Sequence, residues 1–377
     1  MTAAIDAALP FFEERHRELW LRALAFVDSD VTPLAAEDER EPAASTRVYA
    51  TRLARAGLLH HAVANDIRAV ALVRAALARA TSLADSAFAM QGLSALPIVL
   101  HGSESQKREW LPRLESGVIG AFALTEPEAG SDPAGMRLEA KRDGDHYRLS
   151  GVKTFISNAG LAEIVVLFAR TGEGAENAFS AFVLPGDAHG LSARPIELIA
   201  PHPIGTLELD AVRVPESARL GKEGDGLRVA FATLDRFRST VGAAACGMAW
   251  RALDEARLHA RTRSQFGHPL EKFQATQFAI AEMATALEAS WLLVARAAAA
   301  ADAGALATKR LAASAKLFAT DEAHAIVDRA LQIHGGKGLV RGNPVERLYR
   351  DVRALRIYEG TSEIQKLVIA REISLGR

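Results

Sequence analysis

The chain has 377 residues, 49% of them hydrophobic and 24% charged, with a formal net charge of −1. That length leaves room for two or three domains and a large core, and the near-neutral balance argues against nucleic acid or an anionic membrane as the main partner. A single cysteine, Cys246, excludes an intramolecular disulfide and fits a reducing cytoplasm. Its neighbours from Gly242 to Gly247 are small, which points to packing rather than a reactive thiol. Nowhere do ~18 apolar residues run consecutively, as a membrane span needs. Asp6, Glu13 and Glu14 make residues 1–20 unlike a signal or transit peptide.

Residues 1–118 read as helical. Phe11–Val27, Thr46–Leu58, Asp66–Ala80 and Ser82–Leu93 carry apolar residues at spacings of three and four. Asp66 and Ser82 are expected N-caps, and Ser103 with Gln106 forms a capping box opening a short helix to Leu114. From Gly117 the texture changes to short runs rich in Val, Ile, Leu and Phe: Ile119–Leu124, Arg137–Arg142, His146–Lys153, Glu163–Ala169, Ala178–Leu184, Leu191–Arg194 and Thr206–Val214. Asp143-Gly144 is a hairpin signal, and the spacing predicts an antiparallel β domain of about 100 residues. Helices return as Gly226–Ala260, Gln274–Ala303, Ala305–His334 and Ser362–Ile373, long enough for a four-helix bundle. The expected fold class is α+β, mainly α: a helical domain at 1–118, an antiparallel β domain at 119–217 and a helical bundle at 218–377.

Several chemistries are missing. The sequence has no His-Glu-x-x-His, paired Cys-x-x-Cys, phosphate loop, Rossmann glycine fingerprint or Gly-x-Ser-x-Gly elbow, and no metal is expected. His60, His61, His202 and His334 read as surface or packing histidines. Polar residues instead gather at turns: Thr125 to Pro133 after the first β run, Phe155 to Asn158 at a strand end, Arg263 to Gly267 after the first long helix and Gln332 to Gly336 after the third. Such turns are usual places for a ligand. Near the C-terminus, Ser362 and Gln365 fit a second capping box, with Ile364, Leu367, Val368 and Ile369 behind it. Glu359 therefore stands just before a helix, beside Gly360 and after the apolar Ile357-Tyr358. It is expected to face a partly dry pocket with a raised pKa, as a general base requires.

In this order and spacing, Gly120 to Asp132, Arg263 to Phe266, Gln332 to Gly338 and Ile357 to Gln365 resemble the acyl-CoA dehydrogenase family, from about residue 45 to the end. The resemblance implies a three-part fold with FAD bound between the β domain and the bundle, usually in a homotetramer built as a dimer of dimers. It implies that Phe122, Leu124 and Thr125 line the isoalloxazine, and that Gly130 and Ser131 reach flavin and thioester. Phe155 and Ile156 would lie beside the ring, Phe155 covering its face, with Ser157 bonded near the reactive nitrogen. Arg263, Gln265, Phe266, Gln274, Gln332, Gly335 and Gly336 would hold pyrophosphate and adenosine, and Thr361 and Glu363 would close over the cofactor. Asp235, Arg238, Gly360 and Ser131 match substrate-contacting positions. Glu359 falls on the usual base position, taking the α-proton while a β-hydride leaves to FAD and a 2,3-enoyl-CoA forms. Some members place the base on the first bundle helix, but there this chain has Phe237. Phe155 stands where many members have Trp, Ser157 where Thr is common, and Ile199–Ile204 where a Gly-containing loop is usual, on the substrate side.

The implied activity is acyl-CoA dehydrogenation in the cytoplasm, with an electron-transfer flavoprotein as acceptor and neither nucleic acid nor membrane as partner. The alternatives are an acyl-CoA oxidase, a related flavin monooxygenase, or an inactive acyl-CoA- and FAD-binding subunit. Glu359-Gly360-Thr361 argues against the monooxygenases, which need no such base.

Overall fold

A computed structural model describes residues 10–172 and 178–376; Asp6 lies outside them. The chain gathers into two compact units, each assembled from separate pieces. One comprises residues up to Ala35, Ile67–Asp85 and Asp235 onward, and the other Ala36–Asp66 and Ser86–Leu234.

The second unit is built on a sheet of eight strands. They are β1 (Gly120–Ala123), β2 (Glu139–Asp143), β3 (His146–Ser157), β4 (Ile164–Arg170), β5 (Phe179–Pro185), β6 (Leu191–Pro195), β7 (Ile204–Pro215) and β8 (Arg219–Leu220). Their order is β6-β7-β3-β2-β4-β5-β8, with β1 added alongside β4. Most pairings are antiparallel, as expected, and the β2–β3 hairpin turns at Asp143-Gly144 with Asp143 opposite His146. The sheet is nevertheless mixed, because β4 runs parallel to both β1 and β2. A hairpin signal reports only neighbours in sequence, so these longer-range pairings were not legible.

Both faces of β4 are buried, which explains its unbroken apolar run. Ile164, Val166 and Phe168 join a cluster with Ile98, Trp110, Leu114 and Val229 from helices. Val165, Leu167 and Ala169 join Tyr147, Leu149, Leu207 and Val212 from the sheet itself. The Glu104–Glu115 helix starts at the expected capping box: Gln106 N–H donates to Ser103 Oγ at 3.2 Å and Ser103 N–H to Gln106 Oε1 at 2.8 Å.

In the first unit the Thr308–His334 helix packs against both Gln274–Asp302 and Ser362–Ser374. One helix start gains a remote acceptor, and one expected cap is corrected. At the Ile67–Ala80 helix the Asp302 carboxylate accepts from Ile67 N–H at 2.7 Å and Arg68 N–H at 3.2 Å. This support comes from another helix, so no local reading could find it. At the next helix Thr81 Oγ1, not Ser82, accepts from Leu83 N–H at 3.3 Å, because Ser82 is already the first helical residue.

Cys246 is buried, as expected of a packing residue. Ser82–His101 and Gln274–Asp302 are long and apolar enough to cross a bilayer by length and composition. The apolar window of the first is 83% buried within the fold, whereas that of the second is 33% buried. The second thus leaves Phe278 and Leu292 exposed.

Gly247 lets the Gly226–Thr262 helix lie close against the Ile67–Ala80 helix, since a Cβ there would lie 2.2 Å from the Ala75 carbonyl oxygen. Gly247→Ala gains helix propensity but forces two backbones apart, an overpacking cost of about 1–3 kcal/mol. The urea midpoint of the variant is expected to fall with an unchanged m-value.

Candidate active site

Glu359 lies in a loop between a 3-10 turn (Arg353–Arg356) and the C-terminal helix. Its backbone is left-handed, φ 53°, and so is that of Gly360, φ 89°. A non-glycine residue in this region costs about 1–2 kcal/mol and persists only where its surroundings impose it. Here the surroundings are three donors. Gln365 Nε2 donates to the Glu359 and Gly360 carbonyls at 3.3 and 2.8 Å, Lys316 Nζ to the Gly360 carbonyl, and Arg238 Nε to the Glu359 carbonyl at 3.4 Å. Gly360 is favoured by its φ, and a Cβ there would also crowd Gln365 Nε2 at 2.7 Å, pressing on the amide that holds the loop. The expected capping box at Ser362 is therefore corrected. Thr361 is the N-cap, accepting from Ile364 N–H at 3.3 Å, while Ser362 donates to Asp321 and Gln365 secures the loop.

The Glu359 side chain stands among charges. The residue is half-buried, but its Oε2 is enclosed and has no hydrogen-bond partner. Burial pushes its pKa above the ordinary carboxylate value, and the nearby Arg74, Lys316 and Arg238 pull it back. Arg74 is locked by Asp85 at 2.8 and 2.9 Å and by Thr240 at 2.9 Å, all out of solvent. Lys316 is 1% exposed, and burial brings its pKa down to about 8 although Glu359 opposes the shift. Arg238 pairs with Asp235, whose own pKa is raised by burial against the pull of Arg238 and Lys309. Of the residues expected on the substrate side, Asp235, Arg238 and Gly360 thus belong to one cluster with Glu359.

The other unit presents a second surface. After β1 the chain turns at Glu126–Ala129, each N–H donating to the other's carbonyl at 3.1 Å, and leaves Gly130 and Ser131 exposed. The turn is nailed down from inside. Glu126 accepts from Arg137 N–H at 2.6 Å, Leu138 N–H at 3.1 Å and Lys153 Nζ at 2.8 Å. Lys153 also donates to the Leu124 carbonyl at 2.9 Å; burial draws its pKa down to about 8, partly offset by Glu126. Thr154 N–H donates to the Thr125 carbonyl at 2.9 Å, tying β3 to the same turn.

Just beyond, the β3–β7 register slips between Lys153 and Ile156, and Phe155 takes φ 53° with 59% exposure. A β-bulge of this kind re-aims a side chain, here an aromatic ring out of the sheet. Ser157 is half-buried and bonded to His202. Ile156 packs into the core, and the Phe122 ring lies tilted against Phe168, centroids 4.9 Å apart and planes at 57°. Phe122 and Leu124 are only partly buried against that core.

The expected nucleotide-holding residues Arg263, Gln265, Phe266, Gln274, Gln332, Gly335 and Gly336 are all exposed. The helix ends that carry them meet where His259 and His334 stack at 4.3 Å. Lys337 and Arg263 stand close enough to help hold the His259 pKa down, after burial and His334. A Cβ on Gly335 or Gly336 would meet nothing, so that face is open. Phe266, φ 51°, is 91% exposed on the turn of a small hairpin. Thr361 is engaged as a cap, and Glu363 is held below its usual pKa by its own backbone N–H and by Thr361.

Sequence reasoning missed Arg74, Lys316, Lys153 and His202. The first two had a signal: a cation on the apolar stripe of a helix, beside Val70, Val73 and Leu77 or Ala312, Ala315 and Ala319.

Three family models match in succession: acyl-CoA dehydrogenase N-terminal domain over residues 13–118, middle domain over 121–212 and C-terminal domain over 224–374. A probable acyl-CoA dehydrogenase of Mycobacterium tuberculosis, FadE25, is 36% identical over 371 residues, 96% of this chain and 95% of that protein. Among solved structures, butyryl-CoA dehydrogenase from Megasphaera elsdenii gives a TM-score of 0.91 at 30% identity, covering 96% of this chain and 99% of the other. A glutaryl-CoA dehydrogenase from Mycobacterium smegmatis in complex with FADH2 gives 0.89 at 30% identity, covering 97% and 96%. The chain belongs to the acyl-CoA dehydrogenase family, whose fold it has, and is an enzyme of that class.

Lys153→Met removes the cation that neutralises Glu126 beneath the Thr125–Ser131 turn. Leaving one buried charge unpaired costs about 3 kcal/mol, at the low end because Glu126 keeps two backbone donors. Chemical denaturation is expected to show that loss, and Lys153→Met with Glu126→Gln to recover most of it.

Proposed function

We propose that the chain catalyses FAD-dependent α,β-dehydrogenation of an acyl-CoA thioester, with Glu359 as the base that removes the α-proton. The observation that carries this reading is the enclosed, unpartnered Glu359 Oε2 on a strained loop ringed by three cations. A solvated surface glutamate needs none of that apparatus, whereas a general base at neutral pH does.

The residues present suit FAD. An exposed Phe155 on a left-handed backbone offers a ring face, and the half-buried Ser157 hydroxyl lies two residues on. Exposed Arg263, Gln332, Gly335 and Gly336, with open space over the glycines, offer donors and room for a pyrophosphate. Thr125, Gly130 and Ser131 stand on the braced turn, and a relative's structure carries FADH2. FAD, when bound, supplies the acceptor for the β-hydride.

The chain's own residues do the rest. Glu359 Oε2 takes the α-proton, and the Glu359 N–H is the proposed donor to the thioester oxygen, where charge develops. Arg74, Lys316 and Arg238 keep enough of the carboxyl ionised to act, while burial keeps it basic enough to be worth ionising. The product is a 2,3-enoyl-CoA, and an electron-transfer flavoprotein is the proposed acceptor. The exposed apolar residues of the Gln274–Asp302 helix support a homo-oligomer, proposed as a dimer of dimers. The buried, unpaired Cys246 fits a cytoplasmic setting.

Anaerobic addition of acyl-CoA thioesters to the yellow protein is expected to bleach the flavin. Glu359→Gln is expected to stay yellow and bleach ~10²–10⁴-fold more slowly. Because burial disfavours the charged form, its melting temperature should equal or exceed that of the parent. Bleaching at the parental rate would remove Glu359 from its role.

Lys316→Met is expected to move the acid limb of the pH–rate profile upward by about one unit, because losing a neighbouring cation disfavours the carboxylate and raises its pKa. An unmoved limb would show that Lys316 only anchors Gly360.

A further inference from the structure

His202 belongs to the 199–204 segment that departs from the usual loop of the family, and its ring stands between two serine hydroxyls. Nδ1 is 3.2 Å from Ser86 Oγ and Nε2 is 2.7 Å from Ser157 Oγ. Ser86 lies on the Ser82–His101 helix and Ser157 ends β3. The imidazole therefore joins a helix to the strand end that carries the exposed Phe155.

An uncharged imidazole donates from one nitrogen and accepts at the other. Burial draws the His202 pKa down to about 4, so the ring is neutral at physiological pH and two arrangements exist. In one, Ser157 donates to Nε2 and the Nδ1–H donates to Ser86, which consumes the Ser157 proton. In the other, Ser86 donates to Nδ1 and the Nε2–H donates to Ser157 Oγ, which leaves the Ser157 proton free. Helical hydroxyls commonly donate to the carbonyl four residues back, as Ser94 does to Met90 and Thr233 to Val229. Ser86 instead turns to His202, which favours Nδ1 as acceptor. The spare proton then lies at Ser157, half-buried beside an exposed aromatic ring, where a ligand acceptor can take it.

We propose that His202 is a positioning residue: its Nε2–H holds Ser157 Oγ from the protein side, so that the Ser157 hydroxyl is committed as a donor to the polar edge of the flavin ring. The proposal rests on the reading that the end of β3 faces FAD. The departing loop then acts on flavin affinity through Ser157.

The test uses the flavin-loaded full chain and follows FAD release by the rise in flavin fluorescence. Ser157→Ala and His202→Leu are each expected to speed release ~3- to 10-fold, the equivalent of one hydrogen bond. The double variant should be no faster than the faster single. His202→Gln, whose amide can donate to Ser157 and accept from Ser86, should stay within about twofold of the parent. Independently of folding in any variant, nitrogen-15 histidine spectra of the parent at pH 7 should show His202 neutral with its proton on Nε2. Parental release from His202→Leu, multiplying effects, a Gln variant no better than Leu, or a proton on Nδ1 would each overturn the proposal while leaving the dehydrogenase reading intact. A parent chain that takes up no FAD would instead remove that reading, and this inference with it.

Discussion

A carboxyl group taken out of water is tolerated only where cations and dipoles are fixed around it, and in the helical unit that constraint converges on Glu359. Each neighbouring cation comes from a different helix: Arg74 from Ile67–Ala80, Arg238 from Gly226–Thr262 and Lys316 from Thr308–His334. Each is itself anchored, Arg74 by Asp85 and Thr240, Arg238 by Asp235, and Lys316 by the Gly360 carbonyl. None of this is an economical way to stabilise a protein, since buried charges cost several kcal/mol apiece in desolvation and seldom return a surplus. It suits the base proposed for Glu359, whose ionisation is balanced between burial and countercharge.

The sheet unit obeys the same logic with different parts. Lys153 and Glu126 spend a buried ion pair on holding a turn, and the turn keeps Thr125, Gly130 and Ser131 in place with no need for a regular strand. The register slip that follows sends Phe155 outward and leaves Ser157 within reach of His202. In both units a strained residue with positive φ, Glu359 or Phe155, stands close in sequence to hydrogen-bonded neighbours, Gly360 in one and Thr154 in the other. Strain at φ 53° survives because neighbouring groups leave the backbone no better place to go.

Much of the fold was legible because its signals are local. The three-and-four spacing of apolar residues located the long helices, and short apolar runs broken by Gly, Pro and Asp located the strands within a few residues. Where prediction slipped, the partner was remote. The Ile67 and Arg68 amides are met by Asp302, more than two hundred residues away, and β4 pairs in parallel with strands that no turn connects to it. Cap positions slid by one residue at Thr81 and Thr361, since adjacent hydroxyls look alike until the backbone dihedrals choose between them.

The amino-acid sequence alone determined the family, the identity of the acidic residue before the last helix, and the positions of the polar turns, because each is written in contiguous motifs. Only the tertiary structure decided which charges those motifs would meet. Lys316 stands out only as a cation on an apolar stripe until folding brings it to the Gly360 carbonyl, and His202 reads as a packing histidine until two serines close on its ring. Periodicity states which face of an element turns inward, but hydrogen bonds and electrostatic fields depend on what stands opposite, and that is set by packing between segments far apart in the chain.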